Sequence, residues 1–148
     1  MKRICSLLVV CVLALSMLCA CGKKFKSVDA DTVMSVLETK DYYDESCGAP
    51  RDIQGIPKLS TTLNNHWIIV FVNFGDKTEM CDYEYEMEFH SYQNVTRTDD
   101  GNYSIAETEN DKIYRLFIRV DNSYLALQGP ADDKEDMRDL ARDIGYYE

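Results

Sequence analysis

The side chains of this chain that could do chemistry are two histidines, two runs of carboxylates, two cysteines and an unusual number of tyrosines. His66 stands before an apolar run and His90 lies among acidic residues, and neither neighbours a serine or cysteine in a nucleophile motif. Ser91 follows His90, but adjacent residues of a helix or strand point in different directions. Asp82, Glu84, Glu86 and Glu88 alternate, and on a strand they would share one face and offer oxygen ligands to Ca²⁺. Spaced two apart they would lie about 7 Å from one another, too far for one ion to hold consecutive pairs, so a solvated acidic face is expected. Asp132, Asp133, Glu135 and Asp136 fall at the start of an expected helix, where the helix dipole accounts for four acids. The seven glycines are scattered and form no phosphate loop. These residues predict no catalytic set, no metal site and no cofactor. The ten tyrosines suit either a recognition surface or the rim of a half-buried antiparallel sheet.

The elements that must position these residues can be read along the chain. Ser27 and Asp29 offer N-cap chemistry, and Val33, Met34, Val36 and Leu37 predict a helix over 30–40. Tyr42 to Glu45 reads as a short extended segment, and a long loop follows, carrying Gly48, Pro50, Gly55, Pro57 and the polar residues 60–65. His66 to Phe74 is a nearly continuous run of β-branched and aromatic residues, the pattern of a central strand. Residues 77–94 read both ways. Cys81, Tyr85, Phe89 and Tyr92 fall on one helical face, while Cys81, Tyr83, Tyr85, Met87 and Phe89 alternate with polar residues as a strand would. Residues 103–107, 112–120 and 124–128 predict a three-strand meander turning at Asn110-Asp111 and Asp121-Asn122. Pro130 closes it, and a last helix runs through about Asp143, burying Met137, Leu140, Ala141 and Ile144 before Gly145. The expected fold is α+β, an antiparallel sheet of four or five strands with the N- and C-terminal helices packed on one face.

The N-terminus carries an address. Lys2 and Arg3 lead into an apolar run from Ile4 to Ala20, which as a helix would span about 25 Å, short of a hydrocarbon core. A positive start, an apolar middle and small residues at the end are the features of a secretory signal. The run ends Leu18-Cys19-Ala20-Cys21-Gly22, which resembles the lipobox of bacterial lipoproteins. Cys19 stands where Ala, Ser or Thr is commoner, and it is small enough to fit. The resemblance implies that the Cys21 thiol receives a diacylglycerol and that a peptidase cuts just before it. The organisation expected is a signal over 1–20, a lipidated flexible tether over 21–27 and a single domain over 28–148, held at the extracytoplasmic face of the cell membrane. Two or more acyl chains suffice for stable anchoring, since each buried methylene contributes about 0.8 kcal/mol.

Of 148 residues, 128 remain once a twenty-residue signal is removed, enough for one domain and its core. Lys2 and Arg3 leave with the signal, so 14 basic residues face 26 acidic ones and the formal charge is −12. Such a surface excludes nucleic acid as a partner. Lys23, Lys24 and Lys26 follow the lipid site, so the tether is drawn to anionic headgroups while the acidic domain is repelled and expected to stand off the membrane. Of six cysteines, Cys5, Cys11, Cys19 and Cys21 belong to the signal or the lipid site. Cys47 and Cys81 are left, and a disulfide between them, worth about 3 kcal/mol where geometry allows, stays open.

The mature pattern is similar to a set of small exported lipoproteins of low-GC Gram-positive bacteria. The matching residues are Phe89-His90-Ser91-Tyr92, Arg119 to Tyr124, and Ile144-Gly145-Tyr146. In that set the segment holding Phe89 and Tyr92 is helical, so the resemblance implies a helix over 79–92; it implies no activity. Two functions stay in play. One is a non-catalytic binding or accessory module for a protein, peptide or sugar ligand; the other is a small cell-surface enzyme of hydrolase type whose site the sequence does not reveal. The first would gain from an exposed tyrosine patch, the second from a histidine meeting a carboxylate and a hydroxyl or thiol in a pocket.

Overall fold

The structure is a computed structural model that describes residues 25–148. The expected signal, the lipid site Cys21 and the first part of the tether lie outside the described residues. Strand β7 (Ser123–Pro130) shows how the rest is layered. Successive side chains of a strand point to opposite faces. Tyr124 and Ala126 accordingly join one apolar cluster, and Leu125 and Leu127 join another. Strands β3 (Ile68–Asn73) and β6 (Ile113–Val120), which flank β7, divide in the same way. Both faces of the sheet are therefore buried at its centre.

The sheet has seven strands in the order β1-β2-β3-β7-β6-β5-β4, every pair antiparallel. Besides those already placed, these are β1 (Arg51–Ile53), β2 (Ile56–Thr62), β4 (Thr96–Asp100) and β5 (Tyr103–Glu109). Two meanders, β1 to β3 and β4 to β7, are joined where β3 pairs with β7, placing Val70 opposite Ala126. The expectation of four or five strands is corrected to seven. Residues 51–62, read as loop, form a hairpin whose turn places Gln54 and Gly55 at positive φ, the geometry of a two-residue hairpin connection. The Asp52 carboxylate accepts the Gly55 amide at 2.6 Å and fixes that turn. Strand β4 is exposed at every residue, so no apolar pattern marks it.

Helix α1 (Ala30–Thr39) is capped by the Asp29 carboxylate, which accepts the Thr32 amide at 2.7 Å. Its Val33 and Leu37 meet Met137 and Leu140 of α3 (Lys134–Ile144) in one cluster with Phe71, Leu116 and Leu127. A 3₁₀ turn over Ala131–Asp133 leads into α3 and places the Asp133 carboxylate 2.8 Å from the indole Nε1 of the buried Trp67, which donates to it. Helix α2 (Thr78–His90) contributes Cys81, Tyr85 and Phe89 to the other cluster, with Val72, Phe117 and Tyr124.

Of the expected tether over 21–27, residues 25–27 are described, and they contact the domain. Phe25 stacks on Tyr103 with ring centroids 4.4 Å apart, and the Asn102 side chain donates to the Phe25 carbonyl at 2.9 Å. The Ser27 hydroxyl donates to Ser123 at 2.8 Å, and Asn73 donates to the Val28 carbonyl at 2.8 Å. Phe25 to Val28 thus pack on the domain, because an aromatic ring and a row of polar partners give this segment more contacts than its lysines suggest.

Candidate functional site

Helix α2 has no side-chain hydrogen bond at its N-cap, Lys77, so its position is set from the sheet beneath it. Asn122 of the β6–β7 turn accepts from the Thr78 hydroxyl at 2.8 Å and donates to the Gly75 carbonyl, which fixes where the helix starts. Cys81, Tyr85 and Phe89, four residues apart, then fall on one side and are buried. The alternating carboxylates, which a strand would have lined up on one face, are spread around the helix. Three of them tie it to three different strands. Asp82 pairs with Arg119 of β6 at 3.2 Å, Glu86 pairs with Arg97 of β4, and Glu88 accepts from the Tyr124 hydroxyl of β7 at 3.0 Å. Arg97 also lies over the rings of Tyr85 and Phe89, 5.8 and 5.6 Å from their centroids. Glu84 and Glu79 make no hydrogen bond or ion pair among the described residues, which leaves their charge available at the surface.

One helix cannot cover a seven-stranded face. At about 4.8 Å per strand the sheet is roughly 30 Å wide, against about 10 Å for a helix. Clefts open on both flanks of α2. Between the β1–β2 hairpin and α2 lies a cleft of about 250 Å³, floored by Val72, Phe74 and Tyr124 and walled by Ile53, Ile56 and Met80. Lys58 and Glu84 bring one charge of each sign to its edge. The second cleft, about 80 Å³, lies between Tyr92, Val70 and Phe117, with Arg115 and Glu88 in its lining. Arg115 stacks its guanidinium 4.4 Å from the centroid of Tyr92 and donates from Nε to Gln128 at 2.6 Å. A neighbouring hollow of about 230 Å³ shares Ile68 and Gln128 with it and is lined by His66 and Lys112. These surfaces can hold apolar groups and place one charged group beside them.

The residues singled out from sequence fare differently. His66 lines that hollow and His90 ends α2, and neither side chain makes a hydrogen bond or ion pair among the described residues. The condition that would have favoured an enzyme is not met there. Tyr85, Tyr103, Tyr114, Tyr124 and Tyr146 are core residues, so the tyrosines form no exposed patch either; Tyr83 alone is well exposed. Among the described residues, no three His, Cys, Asp or Glu side chains converge as metal ligands. Cys47 and Cys81 are free thiols. Cys81 lies under α2, while Cys47 donates to Asn64 at 3.4 Å, beside the segment that follows α1 on the other face. The sheet separates them. Burial pushes the Cys81 thiol pKa up to about 12.

Two features of this face were not read from the sequence. The cleft needs Ile53 and Ile56, which lie in the hairpin taken as loop. Met80, Tyr83 and Met87 follow one another at i, i+3 and i+7, a second apolar stripe legible in the sequence once α2 is taken as a helix. On the opposite face, Glu107 accepts from Arg138 at 2.8 Å and from the Tyr114 hydroxyl, and this network locks α3 to β5 and β6.

The class these features define is an α+β domain with a seven-stranded antiparallel sheet, both faces of which carry helix. A solved structure of this kind is similar to it, that of a GTP binding regulator from Thermotoga maritima. The TM-score is 0.56 at 12% identity, over 82% of this chain and 93% of that one, a likeness that shows the fold. No family model and no curated protein sequence matches the chain. Among the described residues no helix is long and apolar enough to cross a membrane.

Proposed function

We propose that the chain is a lipoprotein held at the extracytoplasmic face of the cell membrane by diacylglycerol on Cys21, and that it serves as a non-catalytic binding or accessory module. The observation that carries the anchor is the match Leu18-Cys19-Ala20-Cys21-Gly22 after a positive start and an apolar run. The docked Phe25 bears on how far the domain would sit from that anchor. Only Gly22, Lys23 and Lys24 separate Cys21 from that residue, a reach of about 14 Å when fully extended. On this reading the domain is held close to the headgroups instead of standing off them, and Lys23, Lys24 and Lys26 offset its acidity there.

The binding function rests on the division of labour between the two sheet faces. On one, the first and last helices pack together and exclude solvent; on the other, α2 alone leaves the Ile53–Met80 cleft open. An apolar floor with a few placed charges is the usual form of a binding site. Metabolic labelling with palmitate tests the anchor. Label should be incorporated by the wild type and abolished by Cys21→Ala, which accumulates as full-length precursor; unchanged labelling of the variant means the site is wrong. A pull-down from detergent-solubilised membranes tests the cleft, with Ile53→Asp as the comparison bait. A partner captured equally by both baits, or by neither, counts against the cleft.

A further inference from the structure

Helix α2 carries two apolar stripes on opposite sides. Cys81, Tyr85 and Phe89 are buried against the sheet, whereas Met80, Tyr83 and Met87 are 45, 63 and 52% exposed, and no described element lies over them. Three large apolar side chains at helical spacing on the solvent side are not needed to hold the helix, because the buried stripe and three carboxylate ties already do so. The outer stripe runs from Met80, a wall of the cleft, toward the C-terminal end of the helix. On this helix Glu79 and Glu86 lie on one side of it and Glu84 on the other, of which Glu79 and Glu84 have no cation among the described residues.

We infer that the outer face of α2 docks a cationic amphipathic helix, a segment with apolar residues at i, i+3 or i+4 and i+7 flanked by lysine or arginine. The inference deepens the binding reading above and rests on it. The choice of occupant follows from charge. An apolar strip edged by Glu79 and Glu84, which have no cation among the described residues, on a domain whose residues 25–148 carry a formal net charge of −14 favours a basic partner and rejects an acidic one. Methionine suits the role because its unbranched, polarizable side chain adapts to different apolar partners, and helix-in-groove recognition reads this i, i+3, i+7 spacing. A second copy of the same chain brings the same acidic edges and is opposed by them.

The test uses the full-length protein, purified from membranes and held in phosphatidylcholine nanodiscs, with empty discs as the blank. Two fluorescent 14-residue helical peptides serve as probes, one built of leucine and lysine and the other of leucine and glutamate on the same pattern. The leucine–lysine peptide should bind saturably, with affinity falling as salt is raised, and the leucine–glutamate peptide should not. Met80→Gln with Met87→Gln should weaken binding at least tenfold. Glu79→Lys with Glu84→Lys should reverse the preference between the two peptides; all four positions are exposed, and circular dichroism verifies the fold. Binding no stronger than to empty discs, equal binding of both peptides, binding untouched by the methionine changes, or pairing of discs through this face would each overturn the inference. Palmitate labelling is read on the same preparations. Lost peptide binding with labelling intact removes the docking surface alone, and lost labelling with peptide binding intact removes only the anchor.

Discussion

The Tyr146 hydroxyl accepts the amide N–H of Val28 at 3.0 Å, so the segment after the last helix holds down the segment before the first described one. Having accepted there, Tyr146 donates its own proton to the Ser123 hydroxyl, which in turn donates to the Val120 carbonyl at 2.9 Å. Every donor in this buried chain has an acceptor. Burial raises the pKa of the Tyr146 phenol, and the hydrogen bonds it makes act in the opposite direction, so it stays neutral and able to donate.

Tyr146→Phe should therefore destabilise the domain by about 1–3 kcal/mol, because the half-buried Val28 N–H and the buried Ser123 hydroxyl each lose a partner. Urea denaturation gives the size, and hydrogen exchange should show the Val28 amide opening faster. A midpoint equal to that of the wild type would mean that the N-terminal segment is not held by this bond.

The Tyr85 hydroxyl makes the opposite case. It is buried and has no hydrogen-bond partner among the described residues, a condition that costs about 1–3 kcal/mol relative to a satisfied or absent group. Tyr85→Phe keeps the ring against Phe89, 5.1 Å away, and removes the orphan. Stability should hold or rise by about 1 kcal/mol. A clear loss would show that the hydroxyl has a partner in solution.

Gly129 has no room for a side chain. A Cβ there would lie 2.6 Å from Cδ1 of Trp67, whose ring is buried, stacked on Tyr42 and bonded to Asp133. Gly129→Ala should cost about 1–3 kcal/mol by overpacking. Trp67 is the one tryptophan, so its emission reports the displacement directly. Unshifted emission with wild-type stability would contradict the close approach.

The two free thiols should differ in reactivity. At neutral pH a maleimide should modify the half-buried Cys47 and leave Cys81 untouched until denaturant is added, since the nucleophile is the thiolate and burial holds Cys81 protonated up to a pKa of about 12. Reductant should not change the melting temperature. A drop on reduction would revive the Cys47–Cys81 bridge.

Much of the fold is local enough to be read in one dimension. Asp29 caps a helix expected over 30–40 and found over Ala30–Thr39. The apolar run at 66–74 contains β3, the meander yields β5, β6 and β7, and Gly145, at φ 89°, ends the last helix. Each of these carries its own apolar period or its own stop signal. Strands β1, β2 and β4 carry little of either. Arg51 to Ile53 and Thr96 to Asp100 are wholly exposed edges, strands only because a neighbour offers its backbone to pair with.

The site is less legible for the same reason. Between Lys77 and Asn94 the sequence supports a strand and a helix almost equally, because apolar residues stand at every second position and those four apart are among them. Sequence by itself determined that Cys81, Tyr85 and Phe89 could share a face. Only the tertiary structure decided that they do, by supplying Phe117 and Tyr124 to receive them and Arg97, Arg119 and Tyr124 to take the carboxylates between. A helix leaves the other half of the alternating pattern, Tyr83 and Met87, facing water beside Met80. Those side chains became a candidate surface through that choice, since period is a local property and exposure depends on what else the chain brings near.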